Sequence, residues 1–477
     1  MPDTYKIKMS KTKKGIVIAS LAISTLLFSG CGSKPPVYKV TLDVWGLFDN
    51  RDAYEEIFAN YAKLNPNVQI NYRKLTSDTY REDIIEALAS GQGPDIFLIN
   101  NTWLPSFGDK LAGAPPEIFG EQKFRGNFPD VVIADFLNEG KVFAVPLTVD
   151  SLNLFYNKNL FNEAGITSPP EDWNKFVDYS RRMTKIDNMG QIIQAGAALG
   201  TAYNINRSTD VLSVLMLQNG TNMTDSSRTS VSFDKIANTE QGNSFPGENA
   251  LTFYTQFAKA SAPSYSWNKN LHYSIDAFAE GKLGMMLNYS WQRDAILNKS
   301  PKLNFDVAPL PQISGSQPVS YANYWGYAVS KNKSTAASGS AAQKNPQQVP
   351  VPNEIRIQEA WKLLSYLTAK PEATGANIAA AQSKKVDPNF DSAKAYLVKT
   401  GKPAARRDLI ELQKSDSRIG VFAKENLIAK NWYQIDPAAE ESIFAEMIDQ
   451  VNRGQFEPAE ALKSAAAKIN QMMMSRR

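Results

Sequence analysis

Polar and aromatic side chains follow the ends of two predicted strands in the first quarter of the chain. Asp49 and Asn50 come directly after one strand, and Asn101 and Trp103 come after another. Carboxylate and amide groups make directional hydrogen bonds with hydroxyl groups, and an aromatic ring packs against the C–H face of a sugar. Because loops at the carboxyl ends of strands build ligand sites in open α/β sheets, these residues predict a site for a small polar ring compound, with a sugar as the leading candidate.

Composition excludes several other kinds of site. The chain has one cysteine, Cys31, and one histidine, His272. Internal disulfides, thiolate zinc sites and imidazole metal clusters are therefore excluded, and we expect no metal and no cofactor. The formal charge of +4 belongs to residues 1–30, which carry five lysines and Asp3, so the remainder is close to neutral. A neutral domain is not expected to bind nucleic acid.

The N-terminus has the pattern of an export signal. A lysine-rich start is followed by an apolar run over 16–28, which is too short to span a bilayer comfortably, and then by Cys31. The segment resembles a bacterial lipoprotein signal, although Phe28 stands where an aliphatic residue is usual. The resemblance implies a signal peptide at 1–30, a lipidated Cys31, a tether at 31–37 and an extracytoplasmic protein anchored to the membrane. A plainly cleaved signal that leaves a free thiol is the alternative.

The elements that position the first candidates alternate between strand and helix. Period-two and 3.6-residue apolar patterns predict strand 40–45, helix 51–64, strand 68–72, helix 80–88 and strand 95–99. A β-α-β-α-β order predicts a parallel sheet flanked by helices, with right-handed crossovers.

Three separated blocks resemble the extracellular solute-binding proteins of family 1, the group that includes maltose-binding protein. The first block comprises GKVFAVP at 140–146, LFYNKNLF at 154–161, AGI at 164–166, PP at 169–170 and Trp173. The second runs from FAEGK at 278–282 through Met285 to Trp291, and the third is WGYAVSK at 325–331. The first block is the specific one, although Asp172 replaces the threonine that usually precedes the tryptophan.

The resemblance implies a fold and a set of partners. The expected fold is the two-lobed α/β architecture of type II periplasmic-binding proteins, with a ligand cleft between lobes joined by hinge crossovers. Lobe 1 is expected at 38–148 and 312–370, with a mobile insertion at about 333–352, and lobe 2 at 149–311 and 371–477. We expect a monomeric, non-enzymatic component of an ABC importer that carries a small solute, a carbohydrate, to permease subunits in the membrane.

The same resemblance adds candidate ligand contacts. Asp150 falls at the expected hinge, where maltose-binding protein has an acidic ligand contact, and its alternative role is to cap the hinge loop. Trp291 closes the second block on a predicted loop, and Tyr324 and Trp325 open the third. Trp432 falls where related proteins supply another aromatic wall.

Three other functions remain open at the level of sequence, one of which is binding without transport, as a chemoreceptor co-sensor or an adhesin. An exported carbohydrate-active hydrolase would need two carboxylates opposed across the scissile bond, for which Asp49 and Asp150 are the conceivable pair. A binding protein could also take a non-sugar solute. A polyamine site would need more clustered acidic residues, and a glycerol phosphate site a clearer basic cluster.

Overall fold

A computed structural model describes residues 38–239, 242–333, 350–372 and 374–475. The predicted signal peptide at 1–30, the tether at 31–37 with Cys31, and most of the predicted insertion at 333–352 lie outside these residues. Within the described part of the chain, no helix is long and apolar enough to cross a bilayer.

Two five-stranded sheets form the framework. Their strands, with one further pair, are β1 (Val40–Gly46), β2 (Val68–Lys74), β3 (Ile96–Asn100), β4 (Ala144–Val145), β5 (Asn153–Asn157), β6 (Lys185–Ile186), β7 (Ile192–Ala197), β8 (Leu283–Asn288), β9 (Phe305–Ala308), β10 (Ser320–Tyr321), β11 (Trp325–Val329) and β12 (Ala429–Lys430). Two short ribbons pair Leu137–Asn138 with Lys141–Val142 and Ala237–Thr239 with Gly242–Ser244.

Helices surround the sheets. They are α1 (Glu55–Leu64), α2 (Tyr80–Ala89), α3 (Leu104–Phe107), α4 (Pro116–Phe119), α5 (Glu121–Asn127), α6 (Asp130–Phe136), α7 (Lys158–Glu163), α8 (Trp173–Met183), α9 (Ser208–Gln218), α10 (Pro246–Thr255), α11 (Ser274–Ala279), α12 (Trp291–Lys299), α13 (Asn353–Thr368), α14 (Gly375–Ser383), α15 (Ser392–Thr400), α16 (Arg407–Gln413), α17 (Gly420–Glu425), α18 (Pro437–Asn452) and α19 (Pro458–Ser475). Short 3₁₀ turns lie at Arg51–Tyr54, Gly108–Lys110 and Gln256–Ala258.

The first sheet has the strand order β2-β1-β3-β11-β4. The predicted β-α-β-α-β start is confirmed, because β2 and β3 both pair with β1 in parallel. β11 runs antiparallel to β3, so Trp325 lies opposite Asn100. The first residue of β11 therefore lies at the end of the sheet where β1 and β3 terminate. The candidate ligand contacts lie at this end.

The second sheet has the strand order β9-β5-β8-β7-β6 and mixes parallel with antiparallel pairs. It carries a core on each face. Leu154 and Phe155, neighbours on β5, are both fully buried but belong to different clusters. Successive strand residues point to opposite faces, so this lobe is a sheet covered by helices on both sides. The fold is thus the two-lobed α/β architecture expected.

The segments that connect the sheets are hydrogen-bonded to one another. The hydroxyl of Ser151 donates to Asn426 Oδ1 at 2.8 Å, and Asn426 Nδ2 donates to the carbonyl of Val149 at 2.6 Å. The amide of Asn323 donates to the carbonyl of Asp150 at 2.9 Å. β10 pairs in parallel with β12 beside them. Three connecting segments therefore form one hinge.

The packing of the C-terminal helices indicates where the third connecting segment begins. The sequence prediction assigned 371–477 to lobe 2, with the departure near Pro371. However, α15 packs against α1 and α13 of the first lobe, and α16 packs against α5. α17 contacts β5, and α18 and α19 pack on α9 and α10 in the second lobe. We propose instead that the chain leaves lobe 1 between α16 and β12.

Candidate functional site

A cavity of about 810 Å³ lies between the two lobes. Phe48, Trp103 and Trp325 line it from the first lobe, and Arg207 and Trp291 line it from the second. The volume lies in the range of small-molecule sites, which are concave and largely apolar with a few polar groups. A second cavity of about 270 Å³ adjoins it, because both are lined by the set Arg81, Trp103, Arg207, Asn323 and Trp325.

An aromatic wall of Phe48, Trp103 and Trp325 covers the first-lobe side. The Trp325 ring centroid lies 4.9 Å from that of Trp103 and 5.5 Å from that of Phe48, both in edge-to-face geometry. Trp103 is supported from behind by Phe107, whose ring stacks on it at 5.3 Å. Phe48 remains 49% exposed, so apolar surface is left open to a ligand.

Trp291 faces this wall from the second lobe. The prediction placed it on a loop, but it is the first residue of α12, three residues after the buried strand β8 ends. Its ring stacks on Tyr289 at 4.5 Å with 17° between the planes, and it is still 43% exposed. Tyr289 is held in turn by a 2.7 Å hydrogen bond from its hydroxyl to Asp210. A fixed, partly exposed ring can pack on a flat ligand at little entropic cost.

Asp49 lines the cavity but is engaged by the protein. Both of its carboxylate oxygens lie 2.7 Å from Lys402 Nζ, and one also accepts a 2.7 Å hydrogen bond from the Tyr396 hydroxyl. Its carbonyl accepts from the Tyr72 hydroxyl, which crosses so close to Gly46 that any side chain there would clash. Asp49 therefore positions Lys402 at the cavity and is not itself a free hydrogen-bonding group.

Asp150 lies in the first connecting segment and lines the cavity. Its carboxylate accepts hydrogen bonds from the amide of Ser151 at 2.9 Å and from the amide and hydroxyl of Ser290, just before α12. Burial raises the pKa of this carboxyl to about 7 in spite of these bonds. The geometry shows the capping role that the sequence left as the alternative, at a position where the carboxyl also borders the cavity.

Asn101 and Tyr324 are brought together below the aromatic wall, at Asp135. Asn101 Nδ2 donates to Asp135 at 3.0 Å, and the Tyr324 hydroxyl donates to it at 2.8 Å. Burial raises the pKa of Asp135 to about 7. Both predicted contacts are themselves buried, at 3% exposure each, and so they join the first lobe to the hinge. Tyr324 lines the larger cavity, and Asn101 lines the smaller one.

The two remaining candidates differ in placement. Asn50 is exposed and lines neither cavity. Trp432 lines the smaller cavity but is only 7% exposed, belongs to the core of the second lobe and stacks on Phe444 at 5.6 Å.

Several cavity residues were missed by the sequence reasoning. Phe48 could have been found, because it also follows the end of β1. Arg81, Arg207 and Lys402 carried no comparable signal, since a helix face and two loops bring them to the cavity from distant parts of the chain. Among the described side chains, no group of three or more His, Cys, Asp or Glu residues is placed to hold a metal ion.

Comparison with known proteins decides the family. Residues 48–374 match the family model of the bacterial extracellular solute-binding proteins. The chain belongs to this family. It is accordingly an extracytoplasmic solute-binding protein and not an enzyme, which removes the hydrolase alternative.

Individual relatives are distant in sequence. A binding protein of Brucella abortus (strain 2308) is 22% identical over 321 residues, covering 66% of this chain and 68% of the relative. The maltotriose-binding protein of Pyrococcus abyssi is 22% identical over 260 residues, covering 54% and 51%. The structure of the sugar-binding protein MalE from Xanthomonas citri superposes with a TM-score of 0.67 at 18% identity, covering 92% of this chain and 98% of that one.

Proposed function

We propose that this solute-binding protein captures a sugar or oligosaccharide between its lobes and delivers it to the permease of an ABC importer. The observation that carries the proposal is the pairing of the aromatic wall with Trp291 across a cavity of about 810 Å³. Aromatic platforms on two sides suit the C–H faces of sugar rings, and the polar groups between them suit the hydroxyls. The maltotriose-binding and sugar-binding relatives support the same ligand class.

We assign the ligand contacts by the surface they offer. Phe48, Trp103, Trp325 and Trp291 are the stacking surfaces, while Asp150 and Lys402 border the hydroxyls. The other candidates act indirectly. Asn101 and Tyr324 hydrogen-bond to Asp135, and Asp49 positions Lys402. Trp432 supports the smaller cavity by packing in the core behind it.

The rest of the proposal concerns delivery. The apolar run and cysteine at 16–31 support export followed by lipidation of Cys31, which would anchor a monomer to the outer face of the cell membrane. A tethered binding protein stays near its permease subunits, so a captured solute is released at the transporter.

A thermal-shift screen of the purified protein against mono- and oligosaccharides tests the ligand class, followed by calorimetry of each hit. Because a ligand that binds only the native state raises the melting temperature, a matching sugar should raise it, and should raise it further as the sugar concentration increases beyond the Kd. Polyamines and glycerol 3-phosphate belong in the same screen. A response to one of these, with none to any saccharide, would show that the solute is not a sugar.

A further inference from the structure

Two arginines, one from each lobe, lie where the two cavities adjoin. Arg81 lies on α2 of the first lobe, and Arg207 directly precedes α9 of the second. Both line both cavities. Each lies against the tryptophan of its own lobe, with the Arg81 guanidinium carbon 5.8 Å from the Trp103 ring centroid and that of Arg207 5.9 Å from the Trp291 ring centroid.

Neither guanidinium is bonded within the described part of the protein. No hydrogen bond or ion pair involves the side chain of Arg81 or Arg207 there, although most other basic groups around the cleft are paired, as Lys402 is with Asp49. A guanidinium carries five N–H donors and stays charged in proteins. Neither guanidinium is among the described side chains with a buried, unpaired nitrogen, so these donors are open to a ligand in the cavity.

The backbone of Arg207 does not itself require an arginine side chain. Its φ of 60° and ψ of 32° are left-handed, a conformation that glycine adopts without the penalty a side chain brings. Burial is the largest effect on the pKa of Arg207 and lowers it, but the charges of Asp210, Glu441 and neighbouring tyrosines together outweigh burial and leave the pKa above its ordinary value.

We infer that the cleft takes a saccharide bearing an oxyanion, a uronic acid or a sugar phosphate, and that Arg81 and Arg207 bind this group from opposite lobes. The planar donor fork of arginine fits the paired oxygens of a carboxylate or phosphate. An anion held by both lobes at once would also favour the closed state over the open one. This inference rests on the proposed sugar-binding function.

The balance of basic and acidic residues favours the larger cavity for the anion. Asp436 accepts a hydrogen bond from the amide of Ala439, and Glu440 accepts from the amide of Ile435, so both are part of the start of α18. Asp210 accepts from Tyr289. The larger cavity is also lined by five acidic residues, but Arg293, Lys402 and Arg418 add to the two arginines there. The smaller cavity has only Arg81 and Arg207 beside its four acidic residues, so its charge balance is less favourable to an anion.

Matched ligand pairs test the inference by calorimetry on the whole mature protein. The pairs are trigalacturonate with its neutral methyl ester, and glucose 6-phosphate with glucose. The charged member of at least one pair should bind about tenfold to a hundredfold more tightly, as expected for charge-assisted hydrogen bonds, and the preference should weaken as salt is added. The pair that shows the preference identifies the anion.

The variants Arg207→Gly and Arg81→Gln should each remove most of that preference. Glycine suits the left-handed backbone, but buried Asp210 loses the neighbouring charge of Arg207, so the ligand-free melting temperature of each variant is measured beside its affinity. Arg228→Gly is the matched control, because Arg228 is also left-handed, at φ 56°, and also lies over an aromatic ring, that of Tyr433, but lines neither cavity. It should retain the full preference.

Two results would overturn the inference in distinguishable ways. If the neutral members, or maltotriose, bind at least as tightly as the anions, the anion site is wrong while the sugar-binding function stands. If no saccharide of either charge binds, the proposed function falls and the anion site falls with it.

Discussion

The substitution Trp291→Ala tests whether this residue contacts the ligand or belongs to the core. The side chain is 43% exposed. Because a tryptophan buries about 150–250 Å² when fully covered, roughly 100 Å² of Trp291 is open to a ligand. A sugar that covers half of this area gains about 1 kcal/mol at about 25 cal/mol per Å², and ring stacking adds about 0.5–1.5 kcal/mol. Trp291→Ala should therefore weaken sugar binding by about 2 kcal/mol, or about 30-fold.

The same substitution should cost less stability than the loss of a core tryptophan. Fully buried Phe or Trp to Ala changes cost about 3–5 kcal/mol, whereas Trp291 mainly loses its stack on Tyr289. Calorimetry and ligand-free melting would be measured on one preparation, with Phe456→Ala as the control, since Phe456 is 39% exposed and lines neither cavity. Unchanged affinity in the Trp291→Ala protein would refute the assignment of this residue to the ligand.

Three further predictions concern Trp432, Asp150 and Cys31. Trp432→Ala should lower the ligand-free melting temperature sharply, with a loss of about 3–5 kcal/mol, because this ring is 7% exposed and stacked on Phe444; a small shift would contradict its place in the core. The pKa of Asp150 is about 7 in the folded protein and about 4 in an unfolded chain, so the folded state holds the extra proton between these values and stability should fall as pH rises from about 4 to about 7. Asp150→Asn should make that fall shallower in denaturant titrations, and an unchanged slope would count against the buried carboxyl. Cys31→Ala should release the protein from the membrane fraction or leave the signal uncleaved, whereas a variant that still carries lipid would exclude Cys31 as the anchor.

The first lobe could be predicted from local patterns, because its opening strands are parallel and alternate with amphipathic helices. β1, α1, β2, α2 and β3 all lie within a few residues of their expected bounds. The second lobe could not be predicted from periodicity. Its sheet mixes orientations, and β8 is buried along its whole length, so its alternation is hidden. That lobe was predicted instead from the resemblance of separated sequence blocks to the extracellular solute-binding proteins.

Local sequence patterns predicted only those site residues that lie at the ends of strands. Trp103 and Trp325 meet because β3 and β11 are antiparallel neighbours, and both lay in the strand-end residues singled out. The ion pair of Asp49 with Lys402 joins residues 353 positions apart, and no local pattern could indicate that the carboxylate is already engaged. The placement of Arg81 and Arg207 on the same two cavities depends in the same way on how the two lobes are joined.

Closure of the two lobes on a sugar is the most direct test of the account. Small-angle scattering would be recorded on the mature protein alone and with a saturating sugar that raises its melting temperature. Since the ligand contacts both lobes only in the closed state, the radius of gyration should fall when the sugar is added. An unchanged radius in the presence of a tightly bound sugar would contradict capture between the lobes.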